Sequence, residues 1–162
     1  MRCILRLHEA PAEPATATAL IVPLAALRAD PERWRAHRGG LGVRLAPADA
    51  VEDLAGELRL LSLVEVEFPN AGEGRGYSQA RLLRERLGFR GELRAVGDGV
   101  RQDRLFLFAR CGFDAFELAA GEDAQAARRA LARYDVAYQP GSSLLEMRWQ
   151  RFRRGGSSSA LR

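Results

Sequence analysis

Apolar and charged side chains alternate through Leu63-Val64-Glu65-Val66-Glu67-Phe68 before Pro69 interrupts them. A period of two places one set of side chains on a core face and the other on a second face, and proline ends the ladder because it lacks an N–H. The same alternation recurs in Val43-Arg44-Leu45, Leu93-Arg94-Ala95 and Phe116-Glu117-Leu118. Strands are therefore predicted over 41–45, 63–68, 92–96 and 113–118, with further short ones over 3–7 and 18–23. Between them the period changes. Tyr77, Ala80, Leu83 and Leu87, with Leu82 beside them, share one helical face, and Gly88 can end that helix, predicting it over 78–87. Other helices are predicted over 24–37 with a break at Asp30-Pro31, over 50–61 with Asp49 as N-cap, over 99–110 and over 122–137.

Strand and helix alternate along the whole chain, which calls for a parallel sheet with crossover helices. The charged strand positions bear on its architecture. Central strands of a doubly wound sheet are covered on both faces and read as nearly continuous Val, Ile and Leu. Here one face carries Arg44 and Arg94, placed to meet Glu65, Glu67 and Glu117. A run of βα units forming an incomplete TIM-barrel-like sheet, open or completed by self-association, is the expected fold, because a full eight-stranded barrel needs about 250 residues. An open doubly wound sheet is the alternative. The expected organisation is one α/β domain over 1–140 and a basic, flexible tail over 141–162 bearing Trp149 and Phe152.

With 162 residues, 47% of them hydrophobic, a single domain can bury a proper core. No apolar run is long enough to span a membrane, and the first nine residues are too charged for a signal peptide, so a soluble, cytoplasmic protein is expected. All 25 basic residues are arginine and the net charge is +4. No nucleic-acid-binding motif accompanies that charge, and no nucleic-acid partner is expected. Cys3 and Cys111 lie far apart, and His8 and His37 are the only histidines, so no metal or iron–sulfur site is expected.

Candidate chemistry centres on Gly74-Arg75-Gly76-Tyr77-Ser78-Gln79, a glycine-rich turn opening a helix. Free amides at a helix start beside a guanidinium can hold an oxyanion. The bland reading is a tight strand-to-helix turn with Arg75 paired to Glu73 in solvent. Loops after parallel strands share one rim, so those after Phe68 and Val96 are expected to be neighbours. The candidate anion site comprises Arg75, Gly76, Tyr77, Ser78 and Gln79, with Arg94 beneath and Arg101 on the following turn. Asp98 is a weak catalytic candidate, unless it caps the next helix, and Asp114 is the other acid in this region. Cys111, flanked by Arg110, is a second weak candidate, for a redox thiol. Gly74-Arg75-Gly76 lacks the third glycine and following acid of a dinucleotide fingerprint, so no cofactor is expected and the protein should be colourless.

Phe68-Pro69, Gly74-Arg75-Gly76-Tyr77-Ser78, Ala80-Arg81-Leu82-Leu83-Arg84, Gly91-Glu92-Leu93-Arg94-Ala95, Gly97-Asp98 and Arg110-Cys111-Gly112-Phe113-Asp114-Ala115-Phe116 together resemble a bacterial domain-of-unknown-function family described as an oxidoreductase linked to sulfite reduction. The resemblance is strongest over 63–118 and weaker over 19–61. Residues 70–73 lack the usual Thr-Asp of the pattern, and residues 99–104 replace a more apolar stretch. The family description follows from association with sulfite-assimilation genes, so the resemblance implies a pathway without a mechanism. It favours an accessory or redox protein of assimilatory sulfate or sulfite reduction, partnered by sulfite reductase or the sulfonucleotide reductase. Two other classes stay open: a degenerate barrel enzyme binding a phosphorylated or carboxylated metabolite, and a non-catalytic interaction module.

Overall fold

A computed structural model describes residues 4–7 and 19–132. Six strands, β1 (Ile4–Arg6), β2 (Leu20–Pro23), β3 (Leu41–Leu45), β4 (Leu61–Glu67), β5 (Glu92–Val96) and β6 (Ala115–Glu117), form one sheet in the order β1-β6-β5-β4-β3-β2. From β2 to β6 each strand lies parallel to the next one in sequence. The strand order shows none of the reversal that a doubly wound sheet has at its switch point. β1 corrects the expectation of a uniformly parallel sheet, since it runs antiparallel to β6. Among the described residues the sheet is open, with β1 and β2 at its edges.

The period-two pattern sorts the two sheet faces. Leu45, Val66, Ala95, Phe116 and Leu5 fall in register across one face, with Val43, Val64 and Leu93 in a second row. They pack into one core with Leu27, Leu54, Leu83 and Phe108 from the crossover segments. On the other face Arg44, Glu65, Arg94, Ala115 and Arg6 align. Of the carboxylates expected to receive the arginines, Glu65 takes both: Arg44 at 2.7 Å and Arg94 at 3.0 Å. Arg94 also meets Glu92 at 2.6 Å, and Glu92 meets Arg6 at 3.1 Å, so opposite charges alternate across four strands.

Glu65 is only 1% exposed. Leucine at position 65 would leave the buried Arg94 with Glu92 alone, and a loss of about 2–3 kcal/mol is expected, less than for a fully orphaned buried charge. Chemical denaturation measures it; an unchanged midpoint would mean this face is solvated.

The crossover segments depart from simple helices where tertiary contacts intervene. Residues 24–37 split as expected into α1 (Leu24–Ala29) and α2 (Pro31–Arg35), with Asp30 accepting from the Arg33 amide. The helix expected over 50–61 is instead two 3-10 turns, Val51–Leu54 and Leu58–Leu60. Asp49 does not cap them; its carboxylate turns back to accept from the Ala46 amide at 2.7 Å. The helix expected over 78–87 starts earlier, as α3 (Arg75–Arg81), and continues into a π turn, Leu82–Arg86, where sequence neighbours Leu83 and Arg84 are both buried. The helix expected over 99–110 contracts to a 3-10 turn, Gln102–Arg104, and α4 (Leu105–Arg110). α5 (Ala124–Ala132) occupies part of the 122–137 prediction. The 141–162 tail, with Trp149 and Phe152, lies outside the described residues, as do Cys3 and His8.

Candidate functional site

Parallel strands deliver the C-terminal ends of β3, β4 and β5 to one rim, and the loops there are tied together. The Phe68 amide donates to the Val96 carbonyl at 2.7 Å, and the Gly99 amide donates to the Phe68 carbonyl at 2.8 Å. The loops after Phe68 and Val96 are thus neighbours, as the topology predicted. Contact this close needs glycine: Gly97 has φ +109°, and a Cβ there would sit 2.4 Å from the Phe68 carbonyl oxygen. At Gly76 a Cβ would come within 2.4 Å of the Phe68 ring. Phe68 in turn packs on Tyr77 and Phe108, with ring centroids 5.1 and 4.8 Å away. The space spared by these glycines is therefore filled by Phe68.

The residues of the expected anion site have separate fates. Arg75 begins α3 and grips Glu73 through two parallel contacts of 3.1 and 3.0 Å, while its amide donates to the same carboxylate at 2.8 Å. Those bonds hold the Glu73 carboxyl below its ordinary range and raise Arg75 above its own. A carboxylate of the chain itself thus occupies the guanidinium fork. Ser78 is exposed, and Gly76 lies against Phe68. Tyr77 is half-buried in the aromatic cluster; burial pushes its phenol up, with Arg104 pulling the other way, and its hydroxyl makes no hydrogen bond of normal geometry. Gln79 is buried, and its amide nitrogen donates to the carbonyls of Ala46 at 3.0 Å and Asp49 at 2.9 Å, which fastens α3 to the loop after β3. Its Oε1 is unpartnered.

Arg94 does not join this group. Its side chain belongs to the charged face, whereas Tyr77, Ala80 and Leu83 pack on the apolar one. Arg101 pairs with Glu122 in the loop after β6, at 3.3 Å, and lines a cavity of about 430 Å³ beside α5. Asp98 is exposed in the Gly97–Gly99 turn. Arg104, which the sequence did not single out, donates to the Ala71 carbonyl and so joins the β5 and β4 loops.

A family model described as "Bacterial protein of unknown function (DUF934)" matches residues 42–147. The chain belongs to this family. No curated protein matches it. Among the described residues no helix is long and apolar enough to cross a membrane, and no group of three or more His, Cys, Asp or Glu side chains could hold a metal ion.

The DUF934 match covers β4 to β6, including the Leu82-Leu83-Arg84, Gly91–Ala95 and Cys111–Asp114 stretches, and these converge at the opposite, N-terminal end of the strands. Arg84, 3% exposed, donates to the carbonyls of Phe89 at 2.7 Å, Gly91 at 3.0 Å and Gly112 at 2.9 Å, and to the Asp114 carboxylate. Asp114 also accepts from the Leu93 amide at 2.9 Å. The two ionic side chains thereby satisfy the backbone where β5 and β6 begin. This end of a parallel sheet is associated with stability, while ligands bind at the other. Asp114 therefore belongs to the framework, and the pairing with Arg84, 30 residues away, left no local signal in the sequence.

Cys111 closes α4 and is buried. Burial pushes its thiol up, against the smaller opposing pull of Arg81 and Arg110. The adjacent guanidinium does not make it a low-pKa thiolate, because desolvation of the charged form outweighs the attraction. Iodoacetamide at neutral pH should label Cys111 in the native protein far more slowly than after denaturation, with the rate climbing only at alkaline pH. Equal rates in the two states would restore the reactive-thiol role.

Proposed function

We propose that this DUF934 protein is a cytoplasmic accessory protein of assimilatory sulfite reduction, acting with sulfite reductase or the sulfonucleotide reductase. Family resemblance supports the pathway. The observation that favours an accessory role over turnover is the use of the rim's polar groups: Arg75 is held by Glu73, Gln79 by the loop after β3, and Arg104 by the Ala71 carbonyl. Groups committed to fastening loops together shape a rigid surface, and rigid surfaces suit recognition of a folded partner. The raised Cys111 thiol argues in the same direction, since a thiol redox centre needs an accessible thiolate. We further read the consecutive parallel strands as an incomplete TIM-barrel-like sheet, a reading favoured by the unreversed strand order and by the charged residues gathered on one face.

Deleting the gene in its source cell tests the assignment. Growth on sulfate or sulfite as sole sulfur source should slow, while growth on sulfide or cysteine stays normal, and sulfite reductase should be recovered with affinity-purified native protein. Equal growth on all sulfur sources would overturn it.

A further inference from the structure

Among the described residues every arginine except Arg38, Arg59, Arg90 and Arg128 meets a carboxylate, a carbonyl or an aromatic ring. Three of these four stand at one end of the sheet: Arg38 shortly precedes β3, Arg59 precedes β4 and Arg90 precedes β5. Those strands are parallel neighbours about 4.8 Å apart, so the three loops enter within about 10 Å of one another. All three side chains are exposed. The carboxylates two residues from Arg59 and Arg90 are already taken, Glu57 by Arg35 at 3.2 Å and Glu92 by Arg94 at 2.6 Å and Arg6 at 3.1 Å. Apolar surface lies on the same edge. Leu20 and Leu60 are 46% and 38% exposed, although Leu41 and Leu61 beside them are buried.

We propose that this N-terminal edge of β2 to β5 docks an acidic surface of a folded partner protein, with Arg38, Arg59 and Arg90 meeting its carboxylates and Leu20 and Leu60 as apolar anchors. Uncompensated charge of one sign selects an acidic counterpart, and apolar anchors among arginines are the anatomy of a protein interface. A phosphate backbone has no use for the leucines, and Phe89, the ring beside Arg90, is buried, so it offers a base nothing to stack on. Three arginines also fall short of the clusters of about four to eight that hold an anionic membrane. The assignment deepens the accessory reading by naming a docking surface at the end of the strands opposite the rim, and it rests on that reading only for the partner's pathway.

Photocross-linking of the full chain in its source cell tests it. A photoreactive phenylalanine analogue in place of Leu60 should form an adduct with one protein, through a peptide rich in Asp and Glu. The same analogue at Leu107, which is 47% exposed on α4, should not form that adduct. Joint replacement of Arg38, Arg59 and Arg90 by glutamate should abolish the adduct, whereas Arg128→Glu should leave it intact. These arginines are exposed and make no bond within the fold, so the variants should keep the wild-type circular dichroism and melting midpoint. Against the purified partner, the triple variant should bind at least roughly tenfold more weakly, and wild-type binding should weaken as salt rises. No adduct from position 60, an adduct with RNA, lipid or a second copy of this chain, or one that survives the triple replacement overturns the proposal. An acidic partner from outside sulfur metabolism would uphold this surface and count against the accessory reading, which growth on sulfate and sulfite tests separately.

Discussion

Replacing Arg84 with alanine should cost about 3–5 kcal/mol, the loss seen when one member of a buried ion pair is removed. That is enough to unfold a domain whose total stability is of order 5–15 kcal/mol. The reason is the number of groups orphaned at once. The Asp114 carboxylate loses its cation, and three carbonyls, those of Phe89, Gly91 and Gly112, lose a donor. Lysine at this position keeps the charge but not the planar fork, so Arg84→Lys should recover only part of the loss. Urea denaturation followed by circular dichroism separates the three proteins. A change within about 0.5 kcal/mol for Arg84→Ala, the range of ordinary surface substitutions, would show that water reaches this cluster.

The second large effect is expected at the rim. Gly97→Ala combines two penalties: a left-handed backbone at φ +109° and a Cβ placed 2.4 Å from the Phe68 carbonyl oxygen and 2.9 Å from its carbon. Backbone atoms cannot move aside as a flexible side chain can. A destabilisation of about 3 kcal/mol or more follows from strain and overpacking together. Gly88→Ala is the control, because Gly88 also has positive φ, +67°, but nothing lies within 4 Å of its Cβ position. It should lose only about 1 kcal/mol, the conformational part. Similar midpoints for the two variants would mean that the β4 and β5 loops are not locked through Phe68.

Legibility in the sequence tracked the distance over which each feature is specified. β5 occupies the residues that its alternation predicted, 92–96, and the split at Asp30-Pro31 between α1 and α2 follows from a local cap and a missing N–H. The Glu73–Arg75 pair was likewise readable as the bland alternative, since its partners are two residues apart. The segment over 50–61 was misread because Asp49, a residue type suited to starting a helix, was taken as its N-cap. Gln79, some 30 residues away, takes the carbonyls of Ala46 and Asp49 ahead of it, and Asp49 spends its carboxylate on Ala46. Arg94 was expected beneath the anion site, although its place in an alternating strand already assigned it to the charged face.

By itself, then, the amino-acid sequence determined the βα alternation, the division of the sheet into an apolar and a charged face, and the adjacency of the loops after Phe68 and Val96. All three follow from period and chain direction, which are local properties. Tertiary structure alone decided which groups meet: Glu92 as the second partner of Arg94, Arg84 with Asp114, Phe68 in the space beside Gly76, and Arg101 with Glu122 over a cavity. It also decided that β1 joins β6 antiparallel. Such pairings depend on side-chain reach across elements distant in sequence, and on burial that removes water as a competing partner, and neither quantity is written in the spacing of residues along the chain.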